Sequence, residues 1–170
     1  SDVCFPISLW DTSGIIICSS NAVIRDTVIG GNTLGLCALN IVYNVTICNN
    51  IFLDDGILLG NYEHTPTNPD VPMDCFLYNV YNNTVNGKPL YYFKNIQNFI
   101  VPDDAGQVIL SNCTNVTIKG AYFTRCNFPI MLNYCNNCIV ENNTVEDTYG
   151  EIITMRSENC TFQNNTVDKI

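Results

Sequence analysis

Asn137-Cys138-Ile139-Val140-Glu141-Asn142-Asn143-Thr144-Val145 returns further along the chain as Asn159-Cys160-Thr161-Phe162-Gln163-Asn164-Asn165-Thr166-Val167. An earlier copy reads Asn115-Val116-Thr117-Ile118-Lys119-Gly120-Ala121-Tyr122-Phe123. The three copies start at positions 115, 137 and 159. Self-similarity at a fixed period of about 22 residues marks a solenoid. Apolar and polar residues alternate inside each unit, which is a strand signal. A short strand returning once per repeat predicts one coil of a parallel β-helix each time.

The template continues toward the N-terminus in Asn44-Val45-Thr46-Ile47-Cys48-Asn49-Asn50-Ile51-Phe52 and, one repeat earlier, in Asn21-Ala22-Val23-Ile24-Arg25-Asp26-Thr27-Val28-Ile29. A second strand recurs at a matching distance: Gly35-Leu36-Cys37, Gly56-Ile57-Leu58-Leu59, Pro129-Ile130-Met131-Leu132 and Glu151-Ile152-Ile153. Ser13-Gly14-Ile15-Ile16-Ile17 and Gly106-Gln107-Val108-Ile109-Leu110 read as two more copies. No stretch carries an amphipathic helix. The expected fold is all-β, a single-domain parallel β-helix (β-solenoid) over residues 1–170. Its coils are expected to take about 22 residues each.

Stacking the units predicts which side chains meet. Residues of equal phase in neighbouring coils lie about 4.8 Å apart. Ala22, Val45, Val116, Cys138 and Cys160 share an inward phase, and Ile24, Ile47, Ile118, Val140 and Phe162 form a second interior column. Lys119 falls over Glu141 on the outside, an opposite-charge pair that suits stacking. Asn142-Asn143 over Asn164-Asn165 predicts an Asn ladder at a corner, because Asn tolerates the left-handed conformation and its amide can bond its own copy above and below. That use accounts for 25 asparagines in 170 residues.

The middle breaks the period. Pro66, Pro69 and Pro72 fall within seven residues and forbid regular strand pairing, so a Pro-rich insertion protrudes at about 61–74. The coil restarts through Tyr81–Tyr92, where Asn86-Gly87 is a tight-turn signal.

Charged residues are only 14% of the chain and its net charge is −9. That excludes the basic stripe of a nucleic-acid binder and suits an extracellular or cell-surface protein. No apolar run approaches the roughly 20 residues of a membrane span. Ser1 reads as a processed or engineered start, and the last coil reads as incomplete and uncapped at Ile170.

Ten cysteines, an even and high count, indicate an oxidising setting and a disulfide framework. Cys113 and Cys135 are one repeat apart, as are Cys138 and Cys160, so each pair lies in register on adjacent coils at a separation a disulfide accepts. Buried free thiols are the competing state for Cys138 and Cys160. Cys48 takes the outward phase and is a candidate intermolecular cross-link. Asn44, Asn82, Asn112, Asn115, Asn142, Asn159 and Asn164 head Asn-x-Ser/Thr sequons and are candidate N-glycosylation sites in a secreted chain, although the repeat itself writes this pattern.

Catalytic and metal signals are weak. Cys135-Asn136-Asn137-Cys138 is a CxxC without the second pair or the histidines that zinc sites use, and His64 is the only histidine. Polysaccharide-cutting β-helix enzymes need paired carboxylates. Here Glu146 and Asp168 share a phase on adjacent coils, and such an acidic corner is a candidate for Ca²⁺. No catalytic residue, metal ligand or resident cofactor is assigned, and no enzyme activity is expected.

The coil pattern, carried most specifically by Asn83-Thr84-Val85-Asn86-Gly87-Lys88-Pro89-Leu90-Tyr91-Tyr92 and by Gly106 through Ile118, resembles the NosD-type right-handed β-helix common in secreted and surface proteins of archaea. The resemblance spans about residues 20–170. It implies the fold and its handedness, but its members include carbohydrate binders, lyases and envelope proteins. Its copper-linked members imply Met and His ligands, of which this chain has three and one. Composition and architecture further resemble the cysteine-rich sheath proteins of methanogens.

Two functions follow. An uncapped solenoid edge templates pairing with another chain, and head-to-tail stacking gives filaments or rings. The leading expectation is therefore an extracellular structural protein that self-assembles, with itself as partner, into a sheath, surface layer or filament held by disulfides. The alternative is a monomeric carbohydrate-binding module in which Tyr78, Tyr81, Tyr91 and Tyr92 stack on sugar rings, with a polysaccharide lyase or hydrolase behind it.

Overall fold

A computed structural model describes residues 13–32, 34–38, 41–60, 72–148 and 150–169. The expected β-solenoid is present, built as two stacks of coils. In the first stack β1 (Ser13–Ile17), β2 (Val23–Arg25) and β3 (Val28–Gly30) form one coil. β4 (Leu34–Ala38), β5 (Thr46–Cys48) and β6 (Ile51–Leu53) form the next, then β7 (Ile57–Leu59), β8 (Asn79–Tyr81) and β9 (Thr84–Val85). Strands in the same place pair in parallel, as in Ile24↔Ile47↔Val80.

The second stack starts with β10 (Lys88–Lys94) and β11 (Gln97–Ile100). β12 (Gln107–Ser111), β13 (Thr114–Lys119) and β14 (Tyr122–Thr124) follow, then β15 (Ile130–Asn133), β16 (Ile139–Glu141) and β17 (Thr144–Thr148). The last coil is β18 (Ile153–Met155), β19 (Thr161–Gln163) and β20 (Thr166–Lys169). The constant repeat step fixes the register: Ile118 sits over Val140 and Val140 over Phe162, with Lys119 over Glu141 as expected.

The two stacks meet at a reversal that periodicity does not reveal. β9 and β10 pair antiparallel, with Val85 opposite Lys88, inside one seven-stranded sheet. Asn86 (φ 52°) and Gly87 (φ 77°) are both left-handed, the requirement of a two-residue type I′ hairpin and the reason this dipeptide suits it. The coil therefore restarts with its strands reversed, and the buried apolar residues form two clusters, the first of which also takes in Leu90, Ile109 and Met131 from beyond the reversal. Val45 and Ile47 pack in one cluster, whereas Val116, Ile118, Cys138 and Val140 pack in another. The expected columns thus hold within each stack and not across the chain.

Gln107 ties the stacks together. It is fully buried. Its Oε1 accepts from the Ile57 N–H at 3.0 Å, and its Nε2 donates to the carbonyls of Ile57 (2.7 Å), Phe128 (3.0 Å) and Asn127 (3.3 Å). On the surface, Arg125 pairs with Asp54 at 3.2 Å across the same seam.

Corners explain the asparagines. Of the non-glycine residues with positive φ, most are Asn, and stacked positions share the conformation: Asn98, Asn115, Asn137 and Asn159 in one corner, Asn142 and Asn164 in another. Their amides form exposed rungs such as Asn115 Nδ2 to Asn98 Oδ1 at 2.6 Å and Asn44 Nδ2 to Asn21 Oδ1 at 2.9 Å. In the doublets Asn49-Asn50, Asn82-Asn83, Asn142-Asn143 and Asn164-Asn165 the first residue turns the corner and the second points inside. Asn143, buried, donates to Asn165 Oδ1 at 3.0 Å and to the Ile118 carbonyl at 3.1 Å, while its Oδ1 accepts from the Ala121 N–H. Asn50 and Asn83 repeat this in the first stack.

Most of the Pro-rich insertion expected at about 61–74 falls on residues that the structure does not describe. Residues 61–71, His64 among them, and Cys4 lie outside the described residues. Met73–Phe76 forms a 3-10 turn whose Cys75 and Phe76 are buried, with Phe76 packed on the Tyr134 ring at 5.7 Å. Apolar side chains in this segment pull it onto the core.

Candidate functional site

The last coil is the first site. Phe162 and Val167 occupy core phases, opposite Val140 and Val145 in register. Those two partners are fully buried, yet Phe162 is 41% and Val167 45% exposed. Among the described residues β18, β19 and β20 each have a strand neighbour on one side only. The mouth they leave is a cleft of about 400 Å³ lined by Ile152, Thr154, Phe162, Gln163, Asn165 and Val167. Its sequence is that of an ordinary coil, with apolar side chains at the phases that the preceding coil buries.

Below that mouth runs the second site, a column of thiols. Cys113, Cys135 and Cys138 are buried and Cys160 is half-buried. The strand register sets Cys113 beside Cys135, next to the Thr114–Asn136 bridge, and Cys138 beside Cys160, next to the Ile139–Thr161 pair. The repeat writes the geometry twice: Cys138 Sγ lies 3.8 Å from the Cys113 carbonyl oxygen and Cys160 Sγ 3.9 Å from that of Cys135. The neighbouring Cys135 thiol holds Cys138 down at about 6 and Cys113 at about 7. The same two neighbours push Cys135 itself up, and burial raises Cys160. The in-register placement expected of Cys113 with Cys135 and of Cys138 with Cys160 is therefore present.

Cys48 differs from expectation. It holds its register place between Arg25 and Tyr81 but is only 5% exposed, so its thiol is buried where an open outward position was expected.

Burial raises other groups in the interior. It pushes the Cys37 thiol up from 9.0 to about 11 and the Tyr92 hydroxyl from 10.0 to about 12. The unfolded chain releases these protons first, so the folded state loses ground as pH rises. The stabilisation from Cys37 is complete below pH 9 and lost through about pH 11. Thermal melting followed by circular dichroism is expected to show a falling midpoint between those limits, and a midpoint level to pH 11 would refute the assignment.

The tyrosines do not form one platform. Tyr78 is 1% exposed and cannot stack on a sugar, because β10 covers it. Tyr91 stacks on Phe93 at 5.8 Å and donates to Asp104 Oδ1 at 2.9 Å. The Tyr92 hydroxyl donates to the Phe76 carbonyl. Of these four, Tyr81, 51% exposed, presents an open ring. It edges a cleft of about 320 Å³ at the seam, with Thr46, Asn79, Tyr92 and Lys94.

All seven sequon asparagines have positive φ. The amides of Asn44, Asn112, Asn115 and Asn159 are engaged in corner rungs, whereas Asn82, Asn142 and Asn164 are exposed outside them. At the acidic corner Glu146 accepts from the Tyr122 hydroxyl at 2.9 Å, and the strand pairing beside it slips at a bulge.

The family description "Periplasmic copper-binding protein (NosD)" matches residues 68–169, which run from before β8 through β20. The chain belongs to the NosD family. No curated protein and no solved structure matches it. The matched segment holds the whole second stack, the thiol column and the open coil. Among the described residues no three His, Cys, Asp or Glu side chains converge to hold a metal ion. No helix among the described residues is long and apolar enough to cross a membrane.

Proposed function

We propose that the chain is a non-catalytic structural β-solenoid that works outside the cytoplasm, in the periplasm or at the cell surface. It self-associates through its open coil, joining head to tail into a sheath, surface layer or filament. The observation that carries this reading is the exposure of Phe162 and Val167 at core phases. A second copy supplying one more coil would bury both side chains and satisfy the edge ladder. The edge formed by β1, β2 and β3 is the complementary one, since these strands also have a neighbour on one side only among the described residues. The β9–β10 pairing is an internal precedent, because it already joins two coil stacks edge to edge and antiparallel. The family's description as periplasmic supports the location.

The test is light scattering against concentration for the protein and for a Phe162→Lys, Val167→Lys variant. Burying two such side chains contributes about 3 kcal/mol, so the variant is expected to need on the order of a hundredfold higher concentration to associate. Monomers at all concentrations would sink the reading, and growth that stops at dimers would sink head-to-tail joining.

A second reading has one observation behind it, the cleft at the seam, where the Tyr81 ring stands beside Lys94 and Asn79. Lys94 Nζ already donates to the Tyr78 carbonyl and to Asn79 Oδ1, which fixes the ammonium at the cleft wall. A neutral or acidic sugar stacked on Tyr81 fits this site. Tyr81→Ala separates the readings: it abolishes retention on a polysaccharide resin and leaves association intact.

A further inference from the structure

The geometry points to Cys113, Cys135, Cys138 and Cys160 as a thiol–disulfide exchange relay that admits a low-molecular-weight disulfide at the open coil and carries the bond inward. Three observations support it. The four thiols cluster in neighbouring coils: register sets Cys113 beside Cys135 and Cys138 beside Cys160, with Cys138 Sγ 3.8 Å from the Cys113 carbonyl oxygen and Cys160 Sγ 3.9 Å from that of Cys135. Same-phase neighbours in adjacent coils lie about 4.8 Å apart, inside the Cα range of a disulfide, and Cys135 and Cys138 are joined by a corner that turns at Asn137 (φ 52°). Burial is graded: Cys160 is half-buried in the open coil, and the other three lie deeper. Thiolate character at Cys138 and Cys113 supplies nucleophiles along the way.

The steps balance. Cys160 loses its proton and attacks one sulfur of the small disulfide; that S–S bond breaks and one small thiol departs with the proton. The Cys138 thiolate attacks Cys160 Sγ and expels the second small thiol. Two cysteines have lost two electrons in total, and one small disulfide has become two thiols. Cys135 then attacks Cys138 Sγ, and Cys160 leaves and takes up the Cys135 proton. Finally the Cys113 thiolate attacks Cys135 Sγ and Cys138 leaves as thiolate. The disulfide has moved from Cys138–Cys160 through Cys135–Cys138 to Cys113–Cys135 by exchange alone. None of this depends on self-association, although another coil over β18–β20 would close the entrance.

The reduced intact protein, mixed with excess glutathione disulfide, is sampled over time, blocked with N-ethylmaleimide and cut with trypsin. Cleavage after Lys119, Arg125 and Arg156 puts Cys113, the Cys135/Cys138 pair and Cys160 on three different peptides. The Cys138–Cys160 bridge is expected first, then loss of two hydrogens within the middle peptide, then the Cys113–Cys135 bridge. Cys160→Ala is expected to slow the last bridge at least tenfold, and Cys135→Ala to stop the sequence at Cys138–Cys160. Circular dichroism checks that both variants fold; if either does not, the order of appearance in the unmodified protein decides. A Cys113–Cys135 bridge that forms first, one bridge that never exchanges, or four thiols that stay reduced would overturn the relay.

Discussion

Replacing Gln107 by alanine is expected to lower the unfolding free energy by about 4 kcal/mol, the largest effect of any single polar side chain here. Four hydrogen bonds end on its amide. Removing it strands the Ile57 N–H and the carbonyls of Ile57, Asn127 and Phe128 in a seam that water does not reach, and each stranded group costs about 1–3 kcal/mol. The gap left by the side chain adds a cavity cost. Gln107→Glu is worse, because a carboxylate oxygen would face those carbonyls. Urea unfolding measures the loss, and hydrogen exchange locates it, since the Ile57 amide should exchange fastest relative to the parent protein. A loss under about 1 kcal/mol, no more than one ordinary hydrogen bond, would mean that the two stacks do not depend on this tie.

Asn83→Ala is expected to cost about 3 kcal/mol. Asn83 is 3% exposed. Its Oδ1 accepts from the Asn50 backbone N–H and from Asn50 Nδ2, both at 3.0 Å, and its Nδ2 donates to the carbonyls of Ile47 (2.9 Å) and Tyr81 (3.1 Å). The alanine leaves the Asn50 N–H and the Ile47 carbonyl without partners inside the coil. Its neighbour gives the control. Asn82 turns the corner on the surface with φ 54°, so Asn82→Gly removes no buried bond and is expected to change stability by a few tenths of a kcal/mol. Equal losses at the two positions in urea unfolding would show that the inner ladder contributes nothing beyond the corner.

The contrast between Asn82 and Asn83 shows what was legible in the sequence and what was not. The constant step and the alternation gave strands, register and inward phases correctly, because a parallel coil repeats its environment. The doublet marked a corner, but the separate jobs of its two residues follow from the sharp turn between them. Asn86-Gly87 announced a tight turn; that it reverses the strands is invisible to a period that is nearly equal on both sides. Gln107 looked like one residue of a repeated strand, since its partner Ile57 lies 50 positions away and across the reversal. Cys48 and Tyr78 were misplaced for a related reason. Phase places a side chain outward or inward, whereas the burial of Cys48 and the covering of Tyr78 by β10 are matters of what the next element brings. The last coil was legible as an ordinary repeat unit, with Phe162 and Val167 at the phases of Val140 and Val145.

The most direct measurement is electron microscopy of the intact protein at rising concentration, with diffraction from any aligned assemblies. Coil stacking predicts filaments or sheets in which strands run across the long axis and repeat at about 4.8 Å along it, and their absence from the Phe162→Lys, Val167→Lys variant. Uniform small particles for both proteins at every concentration would contradict the structural role and leave the Tyr81 cleft as the working surface.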